Sequence, residues 1–159
     1  MVPSEAQLSL LAELTGGGRA LELGVGTGRV ALPLAARGVR VEGLDASPSM
    51  VGRLRSKPGG THLPVTVGDM VEPHVEGPFR LVYVVFNTFF ALLAQDDQVQ
   101  CFQAVARVLE PEGTFLLECF VPDLCRFDRR QSLRTPRVSD DDVRIDASRH
   151  DPRQPAGQL

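Results

Sequence analysis

Strand-like and helix-like segments alternate along this chain, and three observations predict an α/β domain on a mostly parallel, doubly wound sheet. Apolar runs near residues 19–23, 39–44, 64–68, 79–86 and 113–121 read as strands, with helical patterns near 28–37, 48–56 and 96–109 between them. Such alternation builds parallel sheets through right-handed crossovers. The run from Phe79 to Asn87 is apolar almost without interruption, as a strand buried on both faces requires. Finally, the first strand ends in a loop with glycines at alternate positions, Gly24, Gly26 and Gly28, and a helical pattern follows it.

Taken in order, Ser4 to Leu14 reads as an amphipathic helix with Leu8, Leu11 and Leu14 inward, stopped by Gly16-Gly17-Gly18. Residues 1–18 thus form an N-terminal helical segment ahead of a core at 19–121. In the helix near 28–37, Pro33 is close enough to the start to be tolerated. After the second strand, Ser47 is placed to cap the next helix, with Pro48 at its first position. Asp96 or Asp97 is the expected cap of the helix near 96–109.

Residues 122–159 read as irregular or partly disordered. Leu133–Ser148 has material for at most one or two short strands around an Asp140–Asp142 turn, and the last nine residues are polar and rich in structure breakers. A fifth strand without a further neighbour leaves an open edge, which proteins normally cover. Pairing of that edge with a second copy is therefore an expectation, as is a truncated or minimal domain.

The glycine loop carries the first chemical signal. Glycine reaches positive φ and has no Cβ, so the loop brings bare backbone against a ligand, and a following helix aims N–H groups the same way. A dinucleotide fingerprint, G-x-G-x-x-G, would need its third glycine at Arg29; here it comes one residue early, at Gly28. Glu22, two residues before Gly24, would repel a pyrophosphate but attract an ammonium. The pattern E-x-G-x-G-x-G suits a ligand with a positively charged amino-acid end.

Other predicted strand tips add to this. Val39–Asp45 ends in an acid about twenty residues after the first glycine, placed to accept both hydroxyls of a ribose. Met50, in the next helix, would face back toward the nucleoside. A third strand ends in Gly68-Asp69-Met70 and the fourth in Phe86-Asn87. Each residue alone has a plainer reading. Glu22 can cap turn N–H groups, Asp45 and Asp69 can form turns or caps, and Met50 can be core. The aromatic run Phe86, Phe89, Phe90 either lines an acceptor pocket or packs under its loop, with packing favoured. In a parallel sheet, though, ligands sit at the carboxyl ends of the strands, and Glu22, Asp45, Asp69 and Asn87 all fall there.

Ala20–Gly28, Val39–Asp45, Leu63–Met70, Phe79–Asn87 and Arg107–Glu118, in this order, resemble the successive motifs of class I S-adenosylmethionine-dependent methyltransferases. The resemblance covers about residues 19–121. It implies a Rossmann-like sheet of order 3-2-1-4-5, with the usual C-terminal antiparallel strands short or missing here. It implies S-adenosylmethionine as cofactor, held by Glu22, Gly24, Val25, Gly26, Thr27, Gly28, Asp45, Ala46, Met50, Gly68, Asp69, Met70, Phe86 and Asn87. In that scheme Asp69 accepts from the adenine amine while the backbone of Met70 reads the ring, and Asn87 stands where the methyl is presented. The Pro-Pro-aromatic that follows such an Asn in enzymes acting on base amines is missing from Phe86-Asn87-Thr88-Phe89. The segment is instead similar to small-molecule N- or O-methyltransferases, amino-sugar N-methyltransferases among them. No catalytic base is implied, because a sulfonium methyl is already activated and alignment supplies much of the rate.

Composition narrows the field. The 159 residues, 43% hydrophobic, suffice for one domain with one core. A net charge of −3 without a basic run argues against duplex nucleic acid as partner. Cys101, Cys119 and Cys125 lack metal-ligand spacing, and their odd number suits a reducing cytoplasm. No secretory signal or long apolar span is present, so no membrane partner is expected. His62, His74 and His150 lie off the motif line and read as surface residues. Two alternatives to turnover stand beside the enzyme reading. One is a cofactor-binding module lacking lid and C-terminal strands; the other is a nicotinamide-dependent oxidoreductase, disfavoured by Arg29.

Overall fold

In the computed structural model, residues 3–121, 131–138 and 143–149 are described. Five strands, β1 (Arg19–Leu23), β2 (Arg40–Asp45), β3 (Val65–Val67), β4 (Phe79–Val84) and β5 (Leu109–Leu117), form one sheet in the order β3-β2-β1-β4-β5. All four pairings are parallel. The order reverses at β1, so the connections leaving the paired strands β1 and β4 run toward opposite edges of the sheet, which leaves a crevice at the strands' carboxyl ends.

Alternation along the strands divides the core. Ala20, Val41, Leu81 and Tyr83 face α1 (Glu5–Thr15) and α2 (Ala31–Ala36), where they pack with Leu8, Leu11 and Leu34. Leu21, Leu23, Val82 and Val84 face the other way, onto Cys101 and Val105 of α4 (Gln95–Val108). This two-sided burial explains why β4 is apolar throughout.

Local chemistry sets several boundaries. The Ser4 hydroxyl accepts from the N–H of Gln7, and Gly16 closes α1 in the left-handed region at φ 50°. Ser47 caps α3 (Pro48–Arg55) by accepting from the N–H of Met50, with Pro48 opening the helix. The helix expected from residue 28 begins only at Ala31, since Gly28 sits at φ 73° and holds the chain in a turn. At α4 the expected aspartate cap is absent. Ala94 occupies the cap without a side-chain bond, and Asp96 and Asp97 lie in the first turn, where they still complement the helix dipole. β4 stops at Val84 rather than continuing to residue 86, because Phe86 and Asn87 are both left-handed, at φ 56° and 65°. β5 starts at Leu109, earlier than expected, since Leu109 pairs with Phe79 across a register shift.

The stretch read as irregular carries two strands, β6 (Gln131–Val138) and β7 (Val143–Arg149), paired antiparallel in a sheet of their own. Leu133 lies opposite Ala147 and Val138 opposite Val143, with a register shift between Arg134 and Arg137. The expected Asp140–Asp142 turn, Cys125, His150 and the final residues lie outside the described residues. Among the described residues β5 pairs with β4 alone, and its outer edge is open.

Candidate functional site

A cavity of about 440 Å³ opens at the carboxyl ends of β1, β2 and β4, within the range of small-ligand sites. Glu22, Gly24, Val25, Gly26, Thr27, Arg29, Asp45, Met50, Val85, Phe86 and Thr88 line it.

The glycine loop forms one wall. It is anchored to β2 through the N–H groups of Gly24 and Val25, both donated to the Leu44 carbonyl at 2.8 and 3.0 Å. Gly24 sits at φ 69°, and a Cβ there would run into the Thr88 methyl group. Gly26 sits at φ 54°, and a Cβ there would fill the space toward Met50 Cε (3.5 Å) and Asp45 Oδ2 (4.0 Å). Glycine at both positions keeps backbone, rather than side chain, against the cavity. Lys57 ties the loop from outside, its Nζ donating to the Thr27 carbonyl at 2.8 Å and to Thr27 Oγ1 at 2.9 Å.

Two acids reach the cavity. Asp45, at the tip of β2, accepts from the Gly26 N–H (2.6 Å) with Oδ2 and from the Ser47 N–H (2.8 Å) with Oδ1. It therefore caps a turn and lines the cavity at once. Glu22, 3% exposed, lies directly opposite Tyr83 in the β1–β4 register and accepts from the Tyr83 hydroxyl at 3.0 Å. Burial pushes its carboxyl from 4.5 up to about 8, against the opposing pull of the Tyr83 hydroxyl, the Ala31 N–H and the Arg29 charge. The same burial, together with Glu22, holds the Tyr83 phenol well above its usual range. The Arg29 guanidinium stacks 4.1 Å over the Phe86 ring.

The remaining expected residues lie around the cavity rather than in its lining. Gly28 packs beneath the loop against Leu32 and Leu54. Ala46 is exposed beyond Asp45. Gly68 donates to the Asp45 carbonyl at 3.0 Å, which sets the tip of β3 beside that of β2. Asp69 turns its Oδ1 to the Val71 N–H at 2.9 Å, and Met70 packs on the α4-side core. The Asn87 amide oxygen accepts from the Phe120 N–H at 2.7 Å, and its N–H donates to the Glu118 carbonyl at 3.2 Å. Asn87 thus continues the β4–β5 ladder past its regular end. Phe89 and Phe90 pack edge-on against Phe102 and Phe120.

A second, larger cavity of about 710 Å³ adjoins the first through Val85 and Phe86. Leu10, Leu11, Leu116 and Leu117 make it apolar, with Gln7, Glu118 and Cys119 as polar groups. Gln7 Nε2 donates to Glu118 at 2.7 Å, joining α1 to the end of β5. Among the described residues no group of three or more His, Cys, Asp or Glu is placed to hold a metal, and no helix is long and apolar enough to cross a membrane.

Tyr83, Thr88 and Lys57 were not expected at the site. Tyr83 follows from sheet order, since the neighbours β1 and β4 bring the Glu22 and Tyr83 positions into register. No local signal marks Lys57, which comes from thirty residues along the chain to reach Thr27.

A family profile described as a methyltransferase domain matches residues 20–113, more than half of the chain. The chain is 32% identical over 102 residues to a cypemycin N-terminal methyltransferase from Streptomyces, covering 64% of this chain and 42% of that protein. It is 33% identical over 110 residues to the putative methyltransferase YqeM of Bacillus subtilis, covering 67% and 44%. Among solved structures, the CcbJ methyltransferase of Streptomyces caelestis superposes with a TM-score of 0.81 at 36% identity, covering 95% of this chain and 63% of that one. The glycopeptide N-methyltransferase MtfA with S-adenosylmethionine bound shares the fold, at a TM-score of 0.67 and 23% identity over 94% of this chain and 67% of that one. The chain spans less than half the length of the two curated relatives.

Proposed function

The chain belongs to the methyltransferase-domain family, in its class I S-adenosylmethionine-dependent branch, and from that premise we propose that it transfers a methyl group to an amine nitrogen of a small molecule. The observation that carries the reading is the meeting of Glu22, Asp45 and the Gly24–Gly26 backbone around one cavity. These groups fit a sulfonium nucleoside with an amino-acid tail. Glu22 takes the ammonium, Asp45 takes the ribose hydroxyls, and the glycine backbone lies along the chain between them. Asp69 and Met70, at the neighbouring tip of β3, take the adenine.

When bound, S-adenosylmethionine supplies a methyl already activated on sulfur. The protein's own task is to hold nucleophile, methyl carbon and sulfur in line and keep water from the reacting centre. The acceptor enters from the adjoining apolar cavity, past Phe86, with its amine drawn to the Glu118 carboxylate at the rim. An amine acceptor is supported by that carboxylate and by the N-terminal amine named for the Streptomyces relative. Pairing of the open β5 edge with a second copy, in a cytoplasmic setting, completes the proposal.

The test has two parts. Calorimetric titration with S-adenosylhomocysteine is expected to show one site per chain, and its absence refutes the cofactor assignment. Labelled S-adenosylmethionine with a panel of amino sugars and short peptides then reads turnover. Binding without transfer to any amine assigns the chain to the non-catalytic alternative.

A further inference from the structure

We propose that Tyr83 is a positioning residue of the cofactor site: from inside the sheet, its hydroxyl holds the Glu22 carboxylate for the ligand's ammonium. This rests on the cofactor reading above, in which Glu22 takes that ammonium, and adds a residue that lies outside the cavity lining. Tyr83 is fully buried near the end of β4, in a core shared with Leu8, Leu11 and Ala31. A phenylalanine would fill that space as well, so packing does not call for the hydroxyl. A buried hydroxyl costs free energy unless it is bonded. This one donates to Glu22 Oε2 at 3.0 Å, because the β1–β4 register sets the two residues directly opposite one another.

The bond serves one form of Glu22 more than the other. Burial raises its carboxyl to about 8, so the acid of the empty site keeps its proton at neutral pH. A hydroxyl donated to a carboxylate makes roughly twice as strong a bond as one donated to a neutral acceptor. Tyr83 therefore favours the ionised form that an ammonium needs, and it outweighs the two other groups that do so. Those are the Ala31 N–H at the start of α2 and the Arg29 charge beyond the glycine loop; Asp45, from β2, opposes them. From α1 this core receives the apolar Leu8 and Leu11. Burial, together with Glu22, keeps the phenol protonated and able to donate.

Tyr83→Phe keeps the ring and removes the donor. Calorimetric titrations between about pH 6 and 9 compare S-adenosylhomocysteine with 5′-methylthioadenosine, which lacks the amino-acid end. The variant is expected to bind S-adenosylhomocysteine about fivefold to tenfold more weakly below pH 8, with the gap closing above it, and 5′-methylthioadenosine within about twofold throughout. An equal loss for both ligands, or one that is the same at every pH, makes Tyr83 a packing residue and overturns the proposal, as does unchanged affinity. A second readout needs no variant. The chain has one tyrosine and no tryptophan, so its tyrosine emission comes from Tyr83 alone. A phenol bonded to a carboxylate emits less than one bonded to a neutral carboxyl. Emission should therefore fall when S-adenosylhomocysteine binds at neutral pH, and in the empty protein as pH rises through about 8. Emission that responds to neither refutes the role given to the bond. If the unaltered chain binds neither ligand, it is the cofactor reading that has failed, and emission against pH still decides whether Tyr83 serves the ionised Glu22.

Discussion

Replacing Glu22 by Gln is expected to stabilise the protein at neutral pH while weakening its cofactor site. In the fold, burial raises the Glu22 carboxyl from 4.5 to about 8. The folded chain therefore keeps this proton across a range in which the unfolded chain has released it. Stability linked to Glu22 is full below about pH 4.5 and falls as pH rises toward 8, then stays level. The loss over that range is roughly 5 kcal/mol at most, or about 1.4 kcal/mol per pH unit between pH 5 and 8. A glutamine has no proton to lose, and its amide oxygen still offers an acceptor to Tyr83 and Ala31. Urea denaturation of both proteins at several pH values isolates the effect, because other titrating groups cancel in the difference. The gap in favour of Glu22→Gln should widen from pH 5 to 8 and then hold. A constant difference across that range would refute the account of Glu22 as a desolvated acid.

Three other outcomes follow from the geometry. Asp45→Ala should lower S-adenosylhomocysteine affinity by roughly 1–3 kcal/mol; Asp45→Asn, which keeps an acceptor for Gly26 or Ser47, should recover part of it, as read by calorimetry. Gly24→Ala should cost roughly 1–3 kcal/mol of stability, since φ 69° is strained for alanine and the new Cβ meets the Thr88 methyl. Thr88→Ser removes that methyl and should restore part of the urea midpoint. Sedimentation should show a dimer if the open β5 edge pairs with a second copy, and a single monomeric species at high concentration removes that part of the proposal.

Legibility in the sequence followed the range of the interaction. The cap at Ser47-Pro48 was legible because its chemistry is local. The same reasoning misplaced the start of α4, where burial of Cys101, Ala104 and Val105 against the sheet sets the helix and leaves Ala94 at the cap. Glu22 and Asp45 were legible as a pair, since parallel strands of similar length bring their ends to one side of the sheet. The delayed start of α2 was not, because a glycine at position 28 is compatible with a helix as well as with the turn it adopts. Nor was the use of Asn87 as a ladder partner, which depends on β5 passing beside it. β6 and β7 were legible only as material for one or two short strands, because their length depends on cross-strand pairing.

The contrast between two acids of the β1–β2 pair bears on the role proposed for Glu22. At the amino ends, Glu42 accepts from Arg19 Nε at 2.9 Å, and the Arg19 guanidinium also lies 4.5 Å over the Phe79 ring. There a carboxylate has its cation, and both side chains are partly exposed. At the carboxyl ends the fold buries Glu22 against a hydroxyl and one backbone N–H, and burial outweighs those bonds and the Arg29 charge. An apolar residue in the same place would avoid that cost. What the acid adds is a site that gains by receiving an ammonium, since a cation beside Glu22 favours the ionised carboxylate that the empty fold disfavours. Ligand binding near neutral pH should therefore release a proton from Glu22. Calorimetric titrations with S-adenosylhomocysteine in buffers of different ionisation enthalpy measure that release directly. It should be largest between pH 6 and 8 and absent in Glu22→Gln; equal release by both proteins would place the proton elsewhere.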